Sequence, residues 1–152
     1  MVQVEINSIR ANIINNQRVV ILKEIKNNRF LPLWVGEFES ESIIVALQKI
    51  EVTRPLTHDL FINLFDKENI VPKFIQIHKI ENDTFYSRIY YDKESEEQFI
   101  DSRPSDALAI AIRSNVNIYV SDDVMKNNSI SIDDNSENLS VFEDFIESLD
   151  IE

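Results

Sequence analysis

Apolar residues alternate loosely with polar ones over residues 2–10, a pattern that predicts a first strand. VVILKEI (19–25) is rich in β-branched residues and predicts a second. The turn KNNR follows, with asparagines suited to tight reversal. FLPLWVG (30–36) predicts a third strand, in which Pro32 marks an edge or irregular position. The period then changes. After Ser40, residues Ile43, Ile44, Leu47 and Ile50 recur at helical spacing, and Glu37, Glu39 and Glu41 crowd the start, where the helix dipole favours negative charge. A break at TRPLTHD leads to a second helix with Thr57 as N-cap, Asp59 in its first turn and an apolar face of Leu60, Phe61, Leu64 and Phe65, ending before Pro72.

Residues 73–81 and TFYSRIYYD (84–92) predict two more strands; in the latter Phe85, Ile89 and Tyr91 share one face and Arg88 takes the other. The polar turn KESEE and the strand QFID (98–101) come next. The helix in RPSDALAIAI is apolar nearly all round, hence buried. NIYV (117–120) is a short strand, and Ser121, Asp122 and Asp123 cap one further helical turn. Residues 127–138 are rich in Asn, Asp and Ser and read as a linker. In LSVFEDFIESLDIE, an apolar stripe of Val141, Phe142, Phe145, Ile146 and Leu149 backed by acids predicts a short amphipathic helix.

These elements predict an α+β fold: a single domain over residues 1–126 with a curved, mostly antiparallel sheet and three main helices, followed by a polar linker and acidic C-terminal helix over 127–152. A duplication is also visible in outline. Strand 19–25, strand 30–36 and helix 40–51 resemble strand 84–92, strand 98–101 and helix 103–114 at an offset of 64, which matches Ser42 with Asp106. Two hairpin-plus-helix units would then bring the corners Glu37–Ser42 and Asp101–Asp106 together.

Composition narrows the function classes. With 152 residues and 43% hydrophobic content the chain fits one cored domain rather than a disordered one. It has no cysteine, which removes disulfides and thiolate metal sites and suits a reducing compartment. No apolar run approaches the roughly 20 residues of a membrane span, and MVQVEINSIR lacks the basic start and apolar block of a signal peptide; a cytoplasmic location is expected. The single glycine, Gly36, rules out Gly-rich phosphate loops. The net charge of −12 is concentrated at the end: residues 121–152 hold ten acids and one base, whereas residues 1–120 hold 17 acids and 14 bases. Neither part has the basic excess of a tight, nonspecific nucleic-acid binder.

Three stretches carry candidate chemistry. In DSRPSDALAIAI (101–112), Ser102 or Ser105 can cap free helix-start amides, Pro104 suits a first turn, and Asp106 complements the dipole. The same letters also fit phosphate chemistry. Carboxylates Asp101 and Asp106 can hold a hard cation, and the Arg103 guanidinium can bind phosphate oxygens in a bidentate way. In RPLTHD (54–59), His58 is either an exposed helix-start residue or a general base. The acids of VGEFESE (35–41) read as a solvated helix start or a cation site, and Trp34 beside them as core or as a base-stacking surface. His78, inside FIQIHKI, reads as an ordinary sheet residue.

LPLWVGEFESESIIVAL, RPLTHDLFINLF, TFYSRIYY and DSRPSDALAIAIR, in that order and with close spacing, resemble the bifunctional nuclease domain family over roughly residues 5–126. The resemblance implies an α+β fold, degradation of both DNA and RNA, and self-association. The family's recurrent polar positions fall on Glu37, Glu41, His58, Asp59, Asp101, Arg103, Ser105 and Asp106; Ser42 and Ser102 stand where many members have alanine. The resulting expectation is a metal-assisted nuclease. Asp101 and Asp106, with Glu37 or Asp59, would hold a divalent cation (Mg or Mn). Arg103, Ser105 and Arg54 would bind substrate, and His58 would move protons. A homo-oligomer, taken as a dimer, is expected. The alternative is a non-catalytic oligomeric interaction module whose acidic tail binds a basic partner. The first reading requires Asp101, Arg103 and Asp106 to face a shared, solvent-reached cleft; an Arg103 locked in a buried ion pair with those aspartates favours the second.

Overall fold

The structure, a computed structural model, describes residues 1–12, 14–132, 144 and 147. The strands are β1 (Val2–Ala11), β2 (Arg18–Glu24), β3 (Arg29–Val35), β4 (Val71–Glu81), β5 (Thr84–Lys93), β6 (Glu96–Ser102), β7 (Asn117–Val120) and β8 (Ile130–Ser131). The helices are α1 (Glu37–Leu47), α2 (Thr57–Lys67), α3 (Pro104–Ser114) and α4 (Asp122–Asn128). All strands join one open sheet in the order β6-β5-β4-β7-β1-β2-β3-β8. Each neighbouring pair is antiparallel except β4 with β7, which is parallel. The chain is thus the expected single α+β domain.

α3 is the centre of the helical layer. Its residues Ala107 to Ala111 are all buried, and they pack with Ile75, Ile77, Ile89, Val120, Val20 and Leu22 from the inner sheet face. Burying a Leu or Ile side chain contributes about 1.5–3 kcal/mol, so Leu108 and Ile110 anchor this helix to the sheet. Pro104 occupies the first helical position and Asn115 closes the helix in the left-handed conformation with φ 55°. α1 and α2 pack chiefly against α3 rather than the sheet, which changes which of their faces is inside. In α1 the buried residues are Ser40, Ser42 and Ile43, while Leu47 and Ile50 are exposed. Small side chains let α1 approach the alanine-rich surface of α3 closely, so of the apolar stripe read from the sequence only Ile43 is fully buried.

The duplication holds at the level of elements, with a corrected offset. β3 ends at Val35 and β6 at Ser102; the caps are Gly36 and Arg103; α1 begins at Glu37 and α3 at Pro104. Corresponding positions are therefore 67 residues apart, which matches Glu39 with Asp106 as the third residue of each helix. The offset of 64 came from aligning apolar residues of a helix whose buried face is only partly apolar.

Other expectations shift for local reasons. α1 starts three residues before Ser40, with Gly36 as its N-cap, and α2 is capped by Leu56 rather than Thr57. Trp34 is 44% exposed and is not core. The stretch read as a linker from residue 127 holds the end of α4 and β8, whose Ile130 pairs with Phe30. Ile132 is buried against Val19, Ile21 and Phe30 on the outer sheet face. The polar composition there hid two apolar residues spaced for one side of a strand. Apart from Asp144 and Glu147, the amphipathic tail helix lies outside the described residues.

Candidate active site

The corner between α1, α2 and α3 gathers a continuous chain of polar groups. Asp106, in the first turn of α3, faces His58, in the first turn of α2, with Oδ1 at 2.8 Å from Nε2. His58 Nδ1 lies 2.7 Å from Ser42 Oγ on α1. Arg113, from the last turn of α3, donates from Nη2 to Ser42 Oγ at 3.1 Å. One arrangement gives every bond its own hydrogen: Ser42 accepts from Arg113 and donates to His58 Nδ1, and His58 Nε2–H donates to Asp106. At the other end, Arg103 grips Asp106 in a fork, Nε to Oδ2 at 2.8 Å and Nη2 to Oδ1 at 3.1 Å. Its Nη1 donates to Glu39 Oε1 at 3.2 Å. Glu39 and Asp106 are the matched positions of the two units, and a single guanidinium joins them. Gly36 leaves room for this placement: a Cβ there would crowd the Glu39 carboxylate, which would have to shift.

The two arginines differ in setting. Arg113 is nearly enclosed, with 8% side-chain exposure, and its Nε donates to Asp59 Oδ1 at 2.7 Å. Asp59 Oδ2 accepts from the Leu56 amide at 2.9 Å, capping α2. Arg103 is 64% exposed. Its three side-chain bonds leave two of its five N–H groups, one on each terminal nitrogen, for an incoming anion. Burial raises the pKa of Asp106, but the bonds from Arg103 and His58 outweigh it and hold the carboxyl below its ordinary value. Asp59 is likewise held low, burial opposing and the Arg113 and Leu56 bonds prevailing.

The cluster separates two concavities. One, of about 460 Å³, lies on the α1 side with Phe38, Val45, Val52 and Leu56 in its wall; Ser42, only 8% exposed, is part of its lining. The other, of about 360 Å³, lies toward β5 and β6 with Phe61, Ile89, Ile100 and Ile110. Thr57, His58, Arg103 and Asp106 line both.

Of the residues singled out from the sequence, the fold brings together His58, Arg103 and Asp106. Asp101 borders the second concavity, yet its strand position turns it away. Ile100 pairs with the core residue Ile89, while Asp101 pairs with Arg88 on the opposite face. Its charge acts there on His78, whose pKa is lowered by burial, then by Arg88 and Lys79, with Asp101 opposing. Ser105 is buried and lines neither concavity. Arg54 is exposed in the loop before α2, outside both linings. Glu37 lies 4.0 Å from Arg18. The set Asp101, Asp106, Glu37 and Asp59 does not fit a shared cation: Asp106 and Asp59 have both oxygens engaged, and among the described residues no group of three or more His, Asp or Glu could hold a metal. Sequence reasoning placed Glu39 only among the three acids of a possible cation site, and did not single out Ser42 or Arg113 as site residues. Glu39 had a usable signal, its match to Asp106 once the strand ends are aligned. The roles of Ser42 and Arg113 depend on how three helices cross, and no local pattern carries that.

The architecture is an α+β domain built from two hairpin-helix units that converge on an arginine–carboxylate–histidine cluster. A family model for the bifunctional nuclease domain matches residues 20–133, and the chain belongs to that family. An uncharacterized protein of Mycobacterium tuberculosis is 35% identical over 137 residues, 90% of this chain and 82% of that protein. Bifunctional nuclease 1 of Oryza sativa subsp. japonica is 29% identical over 117 residues, 75% of this chain and 35% of the rice protein. Bifunctional nuclease 1 of Arabidopsis thaliana is 26% identical over 105 residues, 67% of this chain and 32% of its own length. Among the described residues, no helix is long and apolar enough to cross a membrane.

Proposed function

We propose that this protein hydrolyses phosphodiester bonds of DNA and RNA at the His58–Asp106–Arg103 cluster. The supporting observation is an exposed guanidinium with two N–H groups to spare, set beside a histidine whose ring is fixed by a carboxylate. Arg103 binds the non-bridging phosphate oxygens and stabilises the charge that develops on them. As the water oxygen bonds to phosphorus, the Ser42 hydroxyl takes the water's proton and passes its own to His58 Nδ1, Asp106 stabilises the imidazolium that forms, and the P–O bond to the leaving oxygen breaks with that oxygen taking a proton from solvent. Glu39 and Asp106 together hold the guanidinium in place.

Arg103 is exposed rather than locked in a buried pair, which favours catalysis over a purely structural corner. The test is cleavage of labelled DNA and RNA by protein freed of contaminating nucleases, compared with Asp106→Asn and His58→Ala. Loss of cleavage in both variants, with folding retained, supports the reading, and undiminished cleavage in both rejects it. Self-association is proposed alongside, on the exposed Leu47 and Ile50 after α1 and Leu60 and Leu64 on α2. Sedimentation of the purified protein as a monomer at micromolar concentration would remove that part.

A further inference from the structure

We infer that the substrate is an unpaired strand, gripped as a dinucleotide step with one base on either side of the scissile phosphate. The inference rests on the nuclease reading for the position of the phosphate and on the two concavities for the rest. Both meet at His58, Arg103 and Asp106, and their volumes, about 460 and 360 Å³, fall in the size range of small-ligand sites. A phosphate held by the two spare N–H groups of Arg103 therefore has a recess on each side.

The walls of those recesses suit bases, not phosphates. Phe38, Val45 and Val52 line one, and Phe61, Ile100 and Ile110 line the other. Glu39 and Glu41 stand in the first recess; they repel a neighbouring phosphate and can accept hydrogen bonds from base amino groups. In a duplex the bases are stacked and paired inside while the phosphates run along the outside, so neither recess could be filled without unpairing. Aromatic and apolar side chains that take up splayed bases are the usual means of binding single strands, and they serve DNA and RNA alike. The charge balance agrees. Holding a duplex by its backbone needs several phosphate contacts from Lys or Arg, whereas residues 1–120 hold 17 acids against 14 bases. One arginine flanked by two base recesses needs no basic surface.

The experiment compares kcat/KM for a single-stranded 12-mer, the same sequence as a duplex, and a stem–loop, each end-labelled. The single strand should be cut at least about tenfold faster than the duplex, and the stem–loop should be cut in its loop. Phe38→Ala and Ile100→Ala each open one recess. These side chains are 78% and 44% exposed, so thermal unfolding should be little changed. Each should raise KM for the single strand about tenfold. Equal cleavage of single strand and duplex overturns the inference and leaves the nuclease reading standing. Absence of all cleavage removes the nuclease reading, and equilibrium binding of fluorescein-labelled 12-mers then decides the inference: tighter binding of the single strand, weakened by Phe38→Ala, supports it; equal or no binding overturns it.

Discussion

Asp59 and Asp106 offer a controlled comparison, because their side chains are equally exposed, at 30% each, while their arginine partners are not. Replacing either by asparagine removes a charge and little volume. In Asp59→Asn the Arg113 guanidinium, 8% exposed, is left without its counter-charge. Breaking a buried pair from one side costs about 3–5 kcal/mol. The partial exposure of Asp59 and the carbonyl and hydroxyl oxygens that Arg113 keeps reduce this to about 2–3 kcal/mol, since solvent screens part of the pair. At roughly 3 °C per kcal/mol for a chain of this length, the melting temperature should fall by about 6–9 °C. In Asp106→Asn the partner Arg103 is 64% exposed and can turn to water, so the expected loss is about 1 kcal/mol, or roughly 3 °C. The pH dependence has a definite sign. The folded-state pKa of Asp59 is lowered, so its contribution is fully present above its unfolded value and is lost as pH falls through the folded one. The gap between wild type and Asp59→Asn should therefore be constant above about pH 5 and close below about pH 4. Calorimetry over pH 3–8 measures all of this. Equal destabilisation by the two variants, or a larger one from Asp106→Asn, would refute the assignment of Asp59 to structure and Asp106 to chemistry.

Three further outcomes follow from named contacts. On the proposed reading saturating chelator should leave most nucleic-acid cleavage intact, because both oxygens of Asp106 and of Asp59 are taken up by protein donors; abolition restored by Mg or Mn would show that they rearrange around an ion. Asn82 and Asp83, both with positive φ at the β4–β5 turn, make Asp83→Gly stabilising by up to about 1 kcal/mol in urea unfolding. Ile110→Ala, which empties a site 2% exposed at the middle of the core, should cost about 2–5 kcal/mol.

Much of the fold was legible because it follows from alternation and turn chemistry. β2, β3, β5, β7 and α3 stand within a few residues of where periodicity puts them. The misreadings share a cause. α1 buries Ser40 and Ser42 beside Ile43, so its other apolar residues do not mark its inner face, and both the helix start and the repeat offset were misplaced. The site was half legible for a related reason. His58 and Asp106 sit in helix first turns and Arg103 at the N-cap position of α3, where polar side chains that make no cap bond are conspicuous. Asp101 and Asp106 are five positions apart in sequence, but strand alternation pairs Asp101 with Arg88 on the outer sheet face, a separation that sequence proximity does not reveal.

Arg113, Ser42, His58, Asp106 and Arg103 form one hydrogen-bonded series with an enclosed guanidinium at one end and an exposed one at the other. On the proposed nuclease reading the buried end fixes geometry and the exposed end meets substrate, so Ser42, next to the buried end, decides how tightly the two are coupled. Ser42→Ala leaves Arg113 bonded to the Ser42-position carbonyl, at 3.2 Å in the wild type, and leaves His58 tied to Asp106. The stability cost should be about 1 kcal/mol, one hydrogen bond. The space freed beside His58 Nδ1 is that of a hydroxyl, and a water can occupy it with the same donor capacity. Ser42→Ala should therefore lower kcat by less than about tenfold, whereas His58→Ala, which removes the proton acceptor itself, should lower it by about 10²–10⁴. If Ser42→Ala is as damaging as His58→Ala while the melting temperature holds, the hydroxyl is not a replaceable relay and the serine takes part in the chemistry directly.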